Sequence, residues 1–291
     1  MTGPVGIGAV FLGRPPSNFA IRRNDMKFKS GTIWVLLLAS FSYAQTEPKG
    51  SQAAKRAAPS VEEILTRLEK RSDGLKDIRC KIHFVVDDTM DLTKQTKDGR
   101  ILLLMGEPNP KFMIHFEKSR QGGVLGKREW YLFDGRWLHE AIERIEQVTK
   151  REITRPGEKR DFFDIETAPI PLPFGQKKEK ILKNFTVTWI PPVDGDPENC
   201  DHLTCIPKPD SPVARRYDTL DFFIDRAVHL PRRIVITSSE GMEIKTADFP
   251  DLSLGSINVG LTDKDFAHPA AWKGYARLVE PLPPEKKGER K

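Results

Sequence analysis

From residue 81 to residue 249 the apolar residues recur with a period of two, and that pattern rules out most folds. Ile82, Phe84 and Val86 alternate with Lys81, His83 and Val85. Phe112, Ile114 and Phe116 alternate with Met113, His115 and Glu117. Successive side chains of a strand point to opposite faces, so each run offers one apolar face. Similar runs occupy 100–105, 128–134, 136–141, 145–153, 185–190, 202–207, 219–225, 232–238 and 242–249. Turn pairs separate many of them: Asp98-Gly99, Asp134-Gly135, Asp225-Arg226 and Glu240-Gly241. Short connections without helices between them predict a meandering antiparallel sheet of about ten to eleven strands, not βαβ units.

Two helices punctuate the pattern. Ser60 followed by Glu63 predicts a capping box, and Val61, Ile64, Leu65, Leu68, Leu75 and Ile78 share one face at helical spacing. A helix with one apolar stripe must lie on something. Further on, Pro169, Pro171, Pro173 and Gly175 break the strands, and Gln176 to Asn184 predict a short second helix. Pro191 to Asn199 is a Pro/Asp/Gly loop. A sheet this long curls to hide its apolar face, and at about eleven strands its interior is wide enough for a ligand cavity. The expected fold is mainly β: a half-open antiparallel barrel of about eleven strands, with the N-terminal amphipathic helix and the mid-chain helix as its lid.

The N-terminal region reads as an address. Residues 1–25 are an upstream extension, and Met26 is the expected start. Residues 26–44 form a signal peptide: Lys27 and Lys29 are basic, Ile33 to Ala39 are apolar, and Ser42-Tyr43-Ala44 is a small-x-small cleavage site. The apolar run is shorter than the roughly 20 residues a membrane span needs. Residues 45–58 are a polar leader, 59–267 the folded domain, and 268–291 a C-terminal extension whose basic tail, Lys286 to Lys291, is expected to be disordered. The mature chain is predicted to work outside the cytosol.

Composition narrows the chemistry. Lys and Arg number 47 against 41 Asp and Glu, a net +6, but the two signs are interspersed as on a solvated surface. A nucleic-acid partner is not expected. Cys200 and Cys205 close a short loop, so an oxidising compartment allows a disulfide between them, while Cys80 reads as a buried apolar thiol. His139-Glu140-Ala141-Ile142-Glu143 mimics a zinc-protease helix but ends in Glu and lies in a strand-like stretch. The acidic loop Asp194, Asp196, Glu198 and Asp201 lacks the spacing of a calcium hand. No catalytic residues, metal or cofactor are assigned.

The ordered set of segments carries a resemblance. A capped helix leads into a first strand between Val61 and Val86. Then come Pro108-x-Pro110-Lys111-Phe112, Tyr131-Leu132-Phe133-Asp134-Gly135-Arg136-Trp137-Leu138, and Gln147-Val148-Thr149-Lys150. Leu220 to Asp225, Leu230-Pro231 and a last Gly-turn hairpin close it. Over about residues 60–266 this resembles the outer-membrane lipoprotein carrier proteins, the LolA-like superfamily. The resemblance implies a periplasmic, non-enzymatic carrier or chaperone that shields the acyl chains of lipoproteins or other lipids. Its implied partners are acylated molecules, an inner-membrane donor complex and an outer-membrane acceptor. An envelope sensor or protein-interaction module on the same scaffold is the alternative. The enteric carrier has an Arg latch before the Pro that opens its third strand region; Glu107 stands at the matching position, which implies that the latch is absent or rebuilt here.

Such a carrier needs a dry lining and a lid. The lining candidates are Ile82, Phe84, Val86, Leu102, Leu104, Phe112, Ile114, Phe116, Tyr131 and Phe133. The lid candidates are Leu65, Leu68, Ile170, Leu172 and Phe174. The same side chains would equally make an ordinary packed core.

Overall fold

The computed structural model describes residues 59–164, 166 and 174–284. The upstream extension, the signal peptide, the leader, the lid candidates Ile170 and Leu172, and the basic tail lie outside the described residues. No helix among the described residues is long and apolar enough to cross a membrane.

The chain from Ala58 onward is one compact unit. Helix α1 (Val61–Asp73) buries Ile64, Leu65 and Leu68. Ser60 takes the N-cap position but its side chain makes no capping bond, so the expected capping box is not formed. The helix stops at Gly74, and Leu75 and Ile78, predicted on its apolar face, fall in the following turn and in the first strand. Their period-two neighbours Cys80 and Ile82 belong to the same strand face, and strand pairing wins over the last helical turn.

Among the described residues thirteen strands follow in chain order: β1 (Asp77–Asp88), β2 (Thr93–Leu104), β3 (Lys111–Gln121), β4 (Val124–Leu125), β5 (Glu129–Phe133), β6 (Trp137–Ile142) and β7 (Gln147–Glu152). Helix α2 (Lys178–Asn184) then leads to β8 (Phe185–Ile190), β9 (Cys200–Pro207), β10 (Tyr217–Asp225), β11 (Pro231–Ser238), β12 (Glu243–Asp248) and β13 (Ala276–Glu280). All belong to one sheet in the order β13-β7-β6-β5-β3-β2-β1-β12-β11-β10-β9-β8, with β4 attached to β3 alone. The last hairpin returns to the first strand, so β1 lies between β2 and β12. The sheet is not closed; β8 and β13 are its two edges.

The eleven segments read from the sequence all appear as strands. Two more exist. β4 is only two residues long, and β13 runs parallel to β7, an exception to the antiparallel meander. β13 is mostly exposed, with no period-two burial to announce it. The extension after residue 267 therefore contributes one strand, Ala276–Glu280, to the sheet.

Register assigns every strand residue to a face. At Asp98/Gly99 the β2–β3 ladder slips by one residue, and a Cβ on Gly99 would sit 1.9 Å from the His115 carbonyl oxygen, so only glycine fits this crossing. On one face, here the inner face, lie Ile78, Cys80, Ile82, Phe84 and Val86 of β1. On the other, a separate apolar cluster joins Trp130, Leu132, Ala141 and Val148 to Leu261, Phe266 and Trp272 from the C-terminal segment.

Candidate functional site: the inner face

The inner face is built in rows that run across the strands. Leu138, Phe133, Phe112, Leu103 and Ile78 are successive cross-strand partners. Tyr131, Ile114, Ile101 and Cys80 make the next row. A third row crosses the other half of the sheet through Phe84, Ala247, Ile234, Phe222, Leu203 and Trp189. A fourth runs through Val86, Lys245, Ile236, Leu220 and Cys205. Aromatic rings touch along these rows: Phe112 and Phe133 at 5.6 Å between centroids, Phe84 and Phe116 at 6.0 Å, and Phe116 edge-on to Tyr131 at 6.2 Å.

The candidates Ile82, Phe84, Val86, Phe112, Ile114, Phe116, Tyr131 and Phe133 are all buried and share this face. Leu102 and Leu104 do not. They pack against the Trp130–Trp272 cluster on the opposite face, and Ile101 and Leu103 take the inner positions. In the run Ile101-Leu102-Leu103-Leu104 every residue is apolar, so alternation could not say which pair faces inward; pairing with Cys80 and Ile78 decides it. The second half of the lining, Leu203, Leu220, Phe222 and Ile234, was not among the sequence candidates. Its signal was the same alternation in segments 202–207, 219–225 and 232–238.

Helix α1 and the loop residues Phe162 and Phe174 pack beside the sheet. Leu65 and Leu68 of α1 are buried, and α1 lies beside α2 and β8. Few polar bonds hold it. Arg71 Nε donates to the Val228 carbonyl at 3.0 Å, Lys178 Nζ donates to Thr66 Oγ1 at 3.2 Å, and Lys177 pairs with Asp73. Asn258 ties the exit from the helix, donating to the Gly74 carbonyl at 3.1 Å and accepting from the Lys76 N–H at 2.7 Å. Phe174 is fully buried against Phe249, with ring centroids 5.0 Å apart, and Phe162 packs on Phe133 at 4.6 Å.

Glu107 is not a latch on the helix. It is exposed in the β2–β3 turn and accepts from Lys159 Nζ at 2.9 Å. The ion pair joins two loop segments, and the helix is held instead by the contacts named above.

One stripe of the inner face is polar. Lys97 Nζ donates to Glu129 Oε2 at 2.7 Å, and the Tyr131 hydroxyl donates to the same oxygen at 3.1 Å. The Lys97 ammonium also lies 5.5 Å from the Phe116 ring centroid. Burial, with Glu129 and Glu140 nearby, pushes the Tyr131 phenol up. Burial likewise raises the Glu140 carboxyl, against the pull of Arg151. Arg151 bonds Glu280 of β13 at 2.7 Å and ends the stripe.

The cysteines contradict the sequence expectation. All three are free, and Cys200 and Cys205 form no disulfide. They stand five residues apart within β9, an odd spacing that puts their side chains on opposite faces of the sheet. Cys205 lies on the inner row with Leu220. Burial raises its thiol, as it does that of Cys80, and lifts the Cys200 thiol to about 11. Cys80 is buried, as predicted, and it lies on the inner face.

Other chemistry is sparse. His139 and Glu140 lie in β6, where alternate side chains diverge, and no group of three or more metal-ligating side chains gathers among the described residues. On the outer face His139 Nε2 lies 3.3 Å from Asp134 Oδ2, and its ring packs on His268 and Trp272.

No family model matches the sequence, and no curated protein matches it. Solved structures do. An uncharacterized conserved protein from Thermus thermophilus is 11% identical, over 76% of this chain and 100% of its own, with a TM-score of 0.44. A LolA superfamily protein from Nitrosomonas europaea is 11% identical, over 72% of this chain and 99% of its own, with a TM-score of 0.34. The fold is similar to that of LolA-like proteins. The Pseudomonas aeruginosa MucA/MucB complex is 13% identical, over 72% of this chain and 61% of the matched chain, with a TM-score of 0.39. The superpositions are loose, and the functional reading below rests on the faces of the sheet and their cover.

Proposed function

We propose that this protein is a periplasmic carrier that shelters the acyl chains of lipoproteins or other lipids on its inner face. The observation that supports this reading is the pairing of a long apolar wall with a thin cover. The rows from Leu138 to Trp189 cross every strand from β6 to β8 along the sheet, and their cover includes a helix of thirteen residues and the segments around Phe162 and Phe174.

Burying a methylene is worth about 0.8 kcal/mol, so a long acyl chain offers on the order of 10 kcal/mol. The resident cover competes for the same wall. Ile64, Leu65 and Leu68 together contribute roughly 5–9 kcal/mol as an upper bound. Cargo then replaces apolar contacts with apolar contacts, and only the difference appears as affinity. That balance suits a carrier, which must release what it binds. The polar stripe from Lys97 to Arg151 gives an amphiphile's polar end hydrogen-bonding groups beside the hydrocarbon wall.

Mass spectrometry of the protein recovered from its native envelope tests the reading. Acylated molecules recovered in stoichiometric amount support it. A protein recovered free of lipid, or with only a polypeptide partner, contradicts it and favours an interaction module on the same scaffold.

A further inference from the structure

We infer that the β3–β4 hairpin is a membrane-docking element, which places its Val124 and Leu125 among the acyl chains of an anionic bilayer. The inference does not depend on what the inner face holds.

The hairpin is short and fixed. Arg120 pairs with Leu125 and Gln121 with Val124, and the Gly126 N–H donates to the Ser119 carbonyl at 2.9 Å. Gly122 and Gly123 make the turn with φ of 55° and 82°, a conformation that favours glycine. Beyond the glycines stand two apolar side chains with no fold-level reason to be there: Val124 is 71% exposed and Leu125 72%. β4 bonds only to β3, so these residues fill no core and extend no ladder. Single exposed apolar residues are common, but two adjacent ones raised on a tight turn form a wedge.

Neighbouring turns bring more of the same. The start of β2 lies opposite the end of β3, with Gln95 against Gln121, so the β1–β2 turn and this hairpin share one end of the sheet. Met90 at 70% and Leu92 at 88% exposure project from that turn. Asp88 fixes its shape by accepting from the Met90 and Asp91 N–H groups. The β11–β12 turn sits alongside, with the Thr89 N–H donating to the Met242 carbonyl at 3.0 Å, and it adds the partly exposed Met242.

Charge selects the occupant. Lys118, Arg120, Lys127 and Arg128 flank Val124 and Leu125, and all four are exposed. Arg128 is bound by Glu143 at 2.7 Å, while Lys118, Arg120 and Lys127 form no ion pair among the described residues. Asp87, Asp88 and Asp91 leave the β1–β2 turn acidic, so it contributes hydrocarbon and the β3–β4 hairpin contributes the attraction to headgroups. Basic side chains around a small apolar tip match a bilayer with negative lipids, where each signal alone is weak and the two add.

Co-sedimentation of the full chain with vesicles of phosphatidylethanolamine and phosphatidylglycerol tests this, with phosphatidylcholine vesicles alongside. The expected result is saturable binding to the anionic vesicles only. Substitution of Val124→Ser with Leu125→Ser lowers the partition by about tenfold or more. Lys118→Gln, Arg120→Gln and Lys127→Gln together lower it by a similar factor. A separate Leu125→Trp variant shows a blue shift of its added emission when anionic vesicles are present. Wild-type protein that stays in the supernatant overturns the inference. So does a folded serine double variant that binds as well as wild type, or an introduced indole whose emission remains that of a ring in water.

Discussion

Lys97 and Glu129 form an ion pair of 2.7 Å on a largely apolar wall. Their side chains are only 6% and 17% exposed. Removing one partner leaves the other charged and buried, which is far more costly than the pair itself is stabilising. Glu129→Gln is therefore expected to destabilise the protein by about 3 kcal/mol. Lys97→Met combined with Glu129→Leu is expected to restore most of that loss. Denaturant melts of the two variants check it; equal losses in both would contradict the pairing.

The β9 thiols give a simple chemical prediction. All three cysteines are free, so denaturation without reductant should expose three reactive thiols to Ellman's reagent. A reductant should leave the melting temperature unchanged. A single reactive thiol, with a stability loss on reduction, would mean that Cys200 and Cys205 are joined and that the β9 register is wrong.

Much of this fold was legible in the sequence because alternation survives wherever one side of a strand is wet. Phe112, Ile114 and Phe116 could be placed together because Met113, His115 and Glu117 between them are more exposed. Leu102 and Leu104, read as lining, lie on the opposite face, because both faces of β2 are covered there and the run is apolar throughout. The outer cover was invisible for a related reason. Trp272 comes from an irregular segment with no period, and its partners Trp130 and Leu132 lie far away in sequence. Position 107 has no Arg to act as the enteric latch does, and the Glu107 carboxylate pairs with Lys159 of another loop.

Trp272 is a strong test of that outer cover. It is 1% exposed and packs edge-on to Trp130 with centroids 6.4 Å apart. Trp272→Ala should destabilise the protein by about 3–5 kcal/mol. Ending the chain after residue 267 should cost at least as much. Stability unchanged by either alteration, measured by urea unfolding, would show that the extension only rests on the sheet.

Asp134 sets a pH dependence. Burial works against its charge, but hydrogen bonds from His139 and from the Trp137 and Arg136 N–H groups prevail and hold the carboxyl at about 2. A depressed pKa means that the unfolded chain takes up the proton first. The contribution is thus complete above the ordinary Asp value of about 4 and disappears as pH falls towards 2. The stability difference between wild type and Asp134→Ala should be largest above about pH 4 and shrink as pH falls further. A difference that stays constant down to pH 2 would count against this ionisation.

The most direct measurement is a titration of delipidated protein with a fluorescent fatty acid such as parinaric acid. The account predicts saturable uptake with fixed stoichiometry, displacement by an unlabelled long-chain fatty acid, and loss of uptake when α1 is tethered over the wall by a disulfide engineered between it and β8. No uptake by folded, lipid-free protein, or uptake that the tether leaves untouched, would contradict it.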